Sequence, residues 1–253
     1  MDGSAGITPF PPDNAGGEEP FAEVILVPGW GLGRSLWASV ETELKRMSGA
    51  RLRITTIELG KLVDVLLPVE CRLAVGHSTG LLWLLHQRPF AWDGLVSVNG
   101  FTRFVAGPDF PHGVEARLLH RMLHRFDHDP AVVRAAFLER CGAPETSFPD
   151  QLPPDRLREG LLWLRDWDAC PALAAEPAPL LVLAGRIDPI VPPAMTEACF
   201  GERREAEILW QPEGGHLLAL THAAWVTTHI RAFAQRTCGK TLSCCPPAMA
   251  ALR

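Results

Sequence analysis

A serine in the setting of an enzyme nucleophile lies at position 78. Residues 76–80 read Gly-His-Ser-Thr-Gly and fit the pattern G-x-S-x-G, in which a sharp strand-to-helix turn presents the serine Oγ at the edge of a sheet. An apolar run at 73–75 precedes the motif and a helix-like run at 81–85 follows it, as such a turn requires. Taken alone, the motif also fits an ordinary strand–helix turn that contains a capping serine.

A base and an orienting acid for this serine follow later in the chain. Asp188 comes after the apolar run 180–184, and His216 comes after the run 208–210. A serine nucleophile needs a histidine to take its proton and a carboxylate to orient that histidine. Each residue alone has a structural alternative, a turn aspartate before proline and a loop histidine. The ordered set Ser78, Asp188, His216 instead predicts acyl transfer through a covalent serine intermediate.

The turn after the first apolar run is expected to complete the site. The tetrahedral intermediate of acyl transfer needs two N–H donors, and we expect these to be the backbone amides of Thr79 and Trp30. The Trp30 side chain would then line the acyl pocket. Gly29 and Gly31 also match the start of a dinucleotide fingerprint, but Arg34 replaces its third glycine. Because the chain contains no tyrosine, a tyrosine-dependent dehydrogenase is excluded, and we expect no cofactor.

The elements that must position these residues alternate between strands and helices. Short apolar runs without alternation are typical of strands buried on both faces of a parallel sheet. We therefore predict an α/β fold with a mostly parallel central sheet flanked by helices, whose ligands bind beyond the carboxyl ends of the strands. A long block without strand-like runs predicts an inserted helical lid. The predicted organisation is a disordered leader (1–20), a core (21–110 and 169–237), the lid (111–168) and a flexible tail (238–253).

Composition restricts the remaining possibilities. A chain of 253 residues with a net charge of −5 suits one large α/β domain and does not favour nucleic acid as a partner. No apolar run approaches the ~20 residues that span a bilayer, and the N-terminus carries no secretory signal. We therefore expect a cytoplasmic protein without membrane contact. The seven cysteines are interpreted as reduced thiols, with Cys71, Cys141, Cys170 and Cys199 as packing residues.

Together these residues resemble the α/β-hydrolase superfamily over residues 21–235, and most closely the pimeloyl-[acyl-carrier protein] methyl ester esterases of biotin synthesis. The specific likeness lies in residues 27–32 with Trp37, and in residues 157–164 followed by Asp166 and Asp168. The turn at 185–192 is shared more widely in the superfamily. The resemblance implies an α/β-hydrolase fold and hydrolysis of the methyl ester that masks a pimeloyl chain on its carrier protein. It assigns Ser78 as nucleophile, Asp188 as acid, His216 as base, and Trp30 and Thr79 as oxyanion donors.

Three departures from the family pattern affect the pocket rather than the catalytic groups. Pro28 stands where the family usually has histidine, Leu81 replaces a second glycine after the elbow, and the segment 57–73 is short. Pocket shape, and so substrate, is therefore open. A general short-chain carboxylesterase or thioesterase with the same triad is one alternative. A binding protein of this fold without catalysis is another. We expect a monomer that acts on a small-molecule ester or on an acyl-carrier protein.

A basic face on the lid suggests how a carrier would dock. At 100° per residue, the arginines and histidines of residues 114–128 share one side of a helix and the apolar residues share the other. Acyl-carrier proteins are acidic, so such a face would steer and orient them. The alternatives are a solvated arginine face and a metal site formed by the histidines, which would need further ligands; we expect no metal. The candidate docking residues are Arg117, Arg121, Arg125, Arg134 and Arg140.

Overall fold

Six parallel strands form one central sheet in the computed structural model, which describes residues 22–48, 52–61, 68–143, 147–203 and 205–238. The order across the sheet is β2-β1-β3-β4-β5-β6. All five neighbouring pairs are parallel, so the predicted parallel α/β sheet is confirmed. The strands are β1 Ala22–Val27, β2 Leu52–Thr56, β3 Cys71–His77, β4 Gly94–Val98, β5 Leu180–Gly185 and β6 Glu207–Gln211.

The burial of each strand follows its position in the sheet. The three apolar strands β1, β4 and β5 are buried along their whole length, and β3 is buried except at Arg72. The two edge strands β2 and β6 are mostly half-buried. Unbroken apolar runs thus become the inner strands, because helices cover both faces of a parallel sheet. The parallel register places the carboxyl ends of these strands along one edge.

Nine helices surround the sheet within the described residues. Helix α1 packs on α9 and α9 packs on β4, while α2 packs on β3 and on α6. A 3₁₀ turn, Arg34–Trp37, precedes α1. The helices are α1 Ala38–Ser48, α2 Thr79–Gln87, α3 Ala116–Phe126, α4 Pro130–Arg140, α5 Pro154–Asp166, α6 Cys170–Ala174, α7 Pro193–Phe200, α8 Leu218–Thr221 and α9 Ala223–Thr237.

Three of these helices form an insertion between β4 and β5. Helix α3 packs against both α4 and α5. The break between α3 and α4 has a local cause, because Asp129 caps α4 by accepting a hydrogen bond from the Val132 amide and Pro130 occupies the first helical position. The two ends of the insertion meet where Arg103 pairs with Asp168 through a β-bridge. All three helices fall within the predicted lid, residues 111–168.

A disulfide joins Cys71, the first residue of β3, to Cys238, which follows α9. The interpretation of all seven cysteines as reduced thiols is therefore wrong for this pair. Cys141, Cys170 and Cys199 are free. The predicted leader lies outside the described residues, as does the predicted tail apart from Cys238. The short segment before the elbow is described only in part, since residues 62–67 are also outside.

Candidate active site

Ser78 occupies a strained turn between β3 and α2. Its backbone has φ 52° and ψ −124°, in the region that only glycine adopts freely, so the surrounding contacts must hold it there. Both motif glycines lie against backbone. A Cβ at Gly76 would stand 2.5 Å from the Leu81 nitrogen, and one at Gly80 would stand 2.6 Å from the Val27 carbonyl oxygen. The structure therefore explains why the turn requires small residues on both sides of the serine.

The three predicted catalytic residues come together at the carboxyl edge of the sheet. The Oγ of Ser78 lies 3.1 Å from Nε2 of His216, and Nδ1 of His216 lies 2.8 Å from Oδ2 of Asp188. The second carboxylate oxygen of Asp188 accepts the amides of Ile190 at 2.7 Å and Val191 at 2.9 Å. With the Asp188 carboxylate so fixed, it can hold the proton on Nδ1 of His216. Nε2 is then free to accept the serine proton.

The first turn lies directly against the serine. A Cβ at Gly29 would stand 2.9 Å from the Ser78 Cβ. The Leu32 amide donates to the Gly29 carbonyl at 3.2 Å, and Gly31 has φ +72°, which is the arrangement of a type II turn with glycine at its third position. Trp30 is thus the second residue of a tight turn beside the nucleophile. Thr79 is the first residue of α2, where an amide has no acceptor within the helix.

Two supporting residues were not identified from the sequence. Asn99, which follows β4 with φ 47°, donates from Nδ2 to the carbonyls of Gly215 and His216 at 2.8 Å each. Its Oδ1 accepts the Gly185 amide at 2.9 Å, so it connects the strands that carry the acid and the base. The only sequence signal was an Asn-Gly pair at the end of an apolar run.

His77, the variable residue of the motif, supports the same loop. Its Nε2 donates to the His216 carbonyl over 2.8 Å. Burial, followed by the nearby His216, lowers the pKa of His77 to about 3, so this ring stays neutral through the physiological range. Cys141 is no competing nucleophile, because burial and then Asp188 raise the pKa of its thiol far above the ordinary value.

An apolar cleft of about 540 Å³ lies between the insertion and the turn formed by residues 29–32, which we call the catalytic turn. The structure places the Trp30 ring in its wall, beside Phe137 of α4. These two rings pack edge to face with centroids 4.9 Å apart, and the Phe137 centroid lies 6.4 Å from that of His216. The cleft therefore approaches the predicted catalytic residues at Trp30 and Phe137. Its volume lies within the range of small-molecule sites.

The predicted docking arginines do not share one surface. Arg121, Arg125 and Arg140 line the cleft, and Arg117 is exposed on α3, where it pairs with Glu115. Arg134 is different, because it is only 9% exposed and its side chain points into the protein. The prediction that it belongs to an exposed basic face is wrong, since the side of α4 that carries it packs on the catalytic turn.

Two further findings concern metals and membranes. Within the described ranges, no group of three histidine, cysteine, aspartate or glutamate side chains is placed to hold a metal ion. This includes the exposed histidines of α3. No helix in the part of the chain that the structure describes is both long and apolar enough to cross a membrane.

The chain resembles proteins of known name in sequence and in fold. It is 30% identical over 208 residues to the pimeloyl-[acyl-carrier protein] methyl ester esterase of Methylococcus capsulatus, covering 70% of this chain and 80% of that protein. The protein of the same name from Cronobacter sakazakii is 29% identical over 66% of this chain and 75% of its own length. An esterase structure from Exiguobacterium antarcticum has a TM-score of 0.73 over 86% of this chain and 93% of that one, at 14% identity.

No family model matches the chain, so membership rests on these relatives. The structural likeness shows the α/β-hydrolase fold, and the sequence likeness extends over most of the Methylococcus protein. The resemblance inferred from the sequence is thereby confirmed. This chain belongs to the family of pimeloyl-[acyl-carrier protein] methyl ester esterases and is a carboxylic ester hydrolase of the α/β-hydrolase fold.

Proposed function

We propose that this enzyme hydrolyses the methyl ester of a pimeloyl chain carried on acyl-carrier protein. The observation that carries the proposal is the hydrogen-bonded series Ser78–His216–Asp188, which meets an apolar cleft lined by three arginines. The relatives named for this reaction support the same substrate. An apolar cleft suits the methylene chain of the acyl group, and arginines at its wall suit an acidic carrier.

The reaction would pass through an acyl-enzyme on Ser78. The serine oxygen attacks the ester carbonyl while Nε2 of His216 takes its proton, and Asp188 stabilises the resulting imidazolium. The carbonyl oxygen becomes an oxyanion that the amides of Trp30 and Thr79 stabilise. The C–O bond to the methoxy group then breaks, and His216 returns the proton so that methanol leaves. Water, deprotonated by the same histidine, attacks the acyl-enzyme and releases the free carboxylic acid and Ser78.

The carrier would dock on the arginines around the cleft. We propose Arg117, Arg121, Arg125 and Arg140 for this surface and leave out Arg134, which is buried. Leu118 and Val132 also line the cleft and are 40% and 54% exposed. A surface that combines exposed apolar groups with arginine is typical of a protein-binding site. Positive charge there would increase the rate of association with an acidic partner.

We also propose that residues 111–168 act as a lid. Ser78 is 3% exposed and His216 is fully buried, and Phe137, which lines the cleft, packs on Trp30 with its ring centroid 6.4 Å from that of His216. Phe137 belongs to α4, one of the helices of the insertion. Movement of that helix would open the path from the cleft to the serine.

The test is kcat/KM on methyl pimeloyl-carrier protein compared with free dimethyl pimelate. We expect the carrier-bound ester to be preferred by at least tenfold, and Ser78→Ala to lower the activity on both by roughly 10⁴-fold or more. Reversing charge at Arg121 and Arg125 to Glu should remove most of the carrier preference while sparing the free ester, an effect that weakens with salt.

The matched control is Arg165→Glu, on the same insertion but paired at the surface with its neighbour Asp166. It should keep the carrier preference. Equal rates on both esters in the wild-type enzyme would instead indicate a general carboxylesterase, and a higher rate on an acyl thioester would indicate a thioesterase. Full activity of Ser78→Ala would contradict the proposed mechanism itself.

A further inference from the structure

The catalytic turn is held from the lid side by polar contacts to three separate parts of the insertion. Nε1 of Trp30 donates to the Leu157 carbonyl at 2.6 Å. Ser35, just beyond the turn, bonds through its amide and its hydroxyl to the carboxylate of Asp150. Nε of Arg134 donates to the Gly31 carbonyl at 2.9 Å. The turn that contains Trp30 is therefore fixed by side chains and carbonyls that belong to the lid.

Among these contacts, that of Arg134 joins a charged group to the turn itself. Its guanidinium also donates to the Phe148 carbonyl at 3.3 Å, in the connection between α4 and α5. Arginine is rarely this buried, because desolvation of its charge is unfavourable unless its donors are bonded. The position of Arg134 is therefore suited to hold two backbone segments together.

The turn depends on such a contact because of its glycine. Gly31 has φ +72°, and a glycine has more accessible backbone conformations than any other residue, so it does not by itself hold the turn in one conformation. A bond to the Gly31 carbonyl fixes the second half of the turn. The aliphatic part of Arg134 adds to this, since a Cβ at Gly31 would stand 3.8 Å from its Cγ and 3.4 Å from the Phe137 ring. Helix α4 thus packs against the turn at Gly31.

We infer that Arg134 is a positioning residue that joins the lid to the oxyanion-binding turn, so that the Trp30 amide is aligned for catalysis only when α4 is seated. The inference rests on the proposed function, in which the Trp30 amide stabilises the oxyanion. Arg134 touches no reacting atom; it acts through the Gly31 carbonyl and the turn that this carbonyl ends. Packing of α4 against the turn and alignment of the Trp30 amide for the oxyanion therefore occur together.

The experiment separates binding of the transition state from binding of the substrate. Arg134→Gln, Arg134→Lys and wild type are compared with p-nitrophenyl butyrate, a small ester that needs no carrier. A trifluoromethyl ketone serves as the second probe. Its carbonyl carbon bonds to the Ser78 oxygen, the serine proton passes to His216, and the carbonyl oxygen becomes an oxyanion. Affinity for the ketone therefore reports the oxyanion site directly.

For Arg134→Gln we expect kcat to fall about 10–100-fold with KM within about twofold, because loss of a whole oxyanion donor costs roughly 10²–10³ in rate and a misplaced donor costs less. Affinity for the ketone should fall by a similar factor. Arg134→Lys retains one charged donor and should show a smaller loss of both. Arg165→Gln, which removes a surface guanidinium from the same insertion, should match wild type.

The inference is overturned if the ketone binds Arg134→Gln as tightly as it binds wild type, whatever happens to thermal stability. If Arg134→Gln does not fold, the lysine variant decides the matter, and an unchanged ketone affinity there has the same meaning. A failure of the proposed function gives a different result, since Ser78→Ala would then hydrolyse the ester or bind the ketone as wild type does.

Discussion

The two ends of strand β3 lie in regions that are built in different ways. We call the side of the sheet where the strands begin the amino edge and the side where they end the carboxyl edge. At the amino end of β3, Cys71 bonds to Cys238, and Nε of Arg72 donates to the buried carboxylate of Glu23 at 2.9 Å. At its carboxyl end the chain enters the strained turn at Ser78, and Asn99, which follows the neighbouring strand β4, also has a positive φ. The disulfide and the buried ion pair thus lie at one edge, and the strained turn at Ser78 lies at the other.

The difference suggests that stability and chemistry are located at opposite ends of the same strands. Strained residues persist only where the surrounding structure holds them, and at the carboxyl edge they hold the reactive groups. The amino edge lies about 20 Å away, given a rise of about 3.3 Å per residue along β3. Changes at the amino edge should therefore alter stability with little effect on catalysis. Changes at the carboxyl edge should act mainly on catalysis.

The largest effect on stability is expected from the disulfide. Cys71→Ser should lower the free energy of unfolding by about 2–5 kcal/mol, because the bond closes a loop spanning 167 residues and restricts the unfolded chain. Activity at 25 °C should stay within about twofold of wild type, because the change lies at the far edge from Ser78. Urea unfolding with and without a thiol reductant measures the first quantity, and ester hydrolysis measures the second.

Cys170→Ser is the matched control, since Cys170 forms no disulfide. Its stability should not respond to reductant beyond the response of wild type. If Cys71→Ser lost catalysis in proportion to stability, the two edges would be coupled and the comparison would be wrong.

The sequence predicted the carboxyl edge better than the amino edge. The three predicted catalytic residues could be placed together because each follows an apolar run, and the ends of parallel strands meet at one edge. The glycines on either side of Ser78 predicted a tight turn, because this signal is also contained in adjacent residues. The pairing of Cys71 with Cys238 has no local signal, since 167 residues separate them.

The lid shows the same limit of sequence reasoning. Helical periodicity predicts which residues share a face of α4, but not which part of the protein that face will contact. Arg134 was assigned to the docking surface for its charge alone, whereas the packing of α4 buries it against the Gly31 carbonyl. Asn99 was overlooked because its role depends on Gly185 and His216, which approach it only in the folded chain.

The next effect tests the carboxyl edge. Asn99→Gly removes the amide side chain while glycine still accepts the positive φ, so strain does not confuse the result. We expect kcat to fall on the order of 10–100-fold, because the loop that carries His216 loses one of its two side-chain donors. This scale corresponds to the displacement of a catalytic group by a fraction of an ångström to one ångström. Steady-state kinetics on a small ester measures it.

Asn99→Asp gives the internal comparison for this change. It keeps the acceptor for the Gly185 amide but replaces the donor to the His216 carbonyl with a second oxygen, so it should not restore kcat. A variant that lost several kcal/mol of stability at unchanged kcat would place Asn99 with the amino edge and contradict the assignment.

The smallest effect concerns the pH dependence of stability and arises from His77. Burial lowers the pKa of His77 to about 3 in the folded protein, whereas an unfolded histidine has a pKa near 6.5. Between these values the unfolded chain takes up a proton that the folded protein does not. The free energy of unfolding should therefore decrease as the pH falls from about 6.5 towards 3, and it should be unaffected by this group above pH 7.

Replacing His77 with glutamine removes the titration while retaining an amide donor for the His216 carbonyl. The decrease in unfolding free energy between pH 6.5 and pH 5 should become smaller by on the order of 1–2 kcal/mol. His112→Gln is the control, because His112 is exposed and meets water in both states. If the two variants and wild type lose stability in parallel, His77 takes up its proton in the folded protein. The carboxyl edge would then accommodate a positive charge beside His216. That result would contradict the low pKa that burial gives His77.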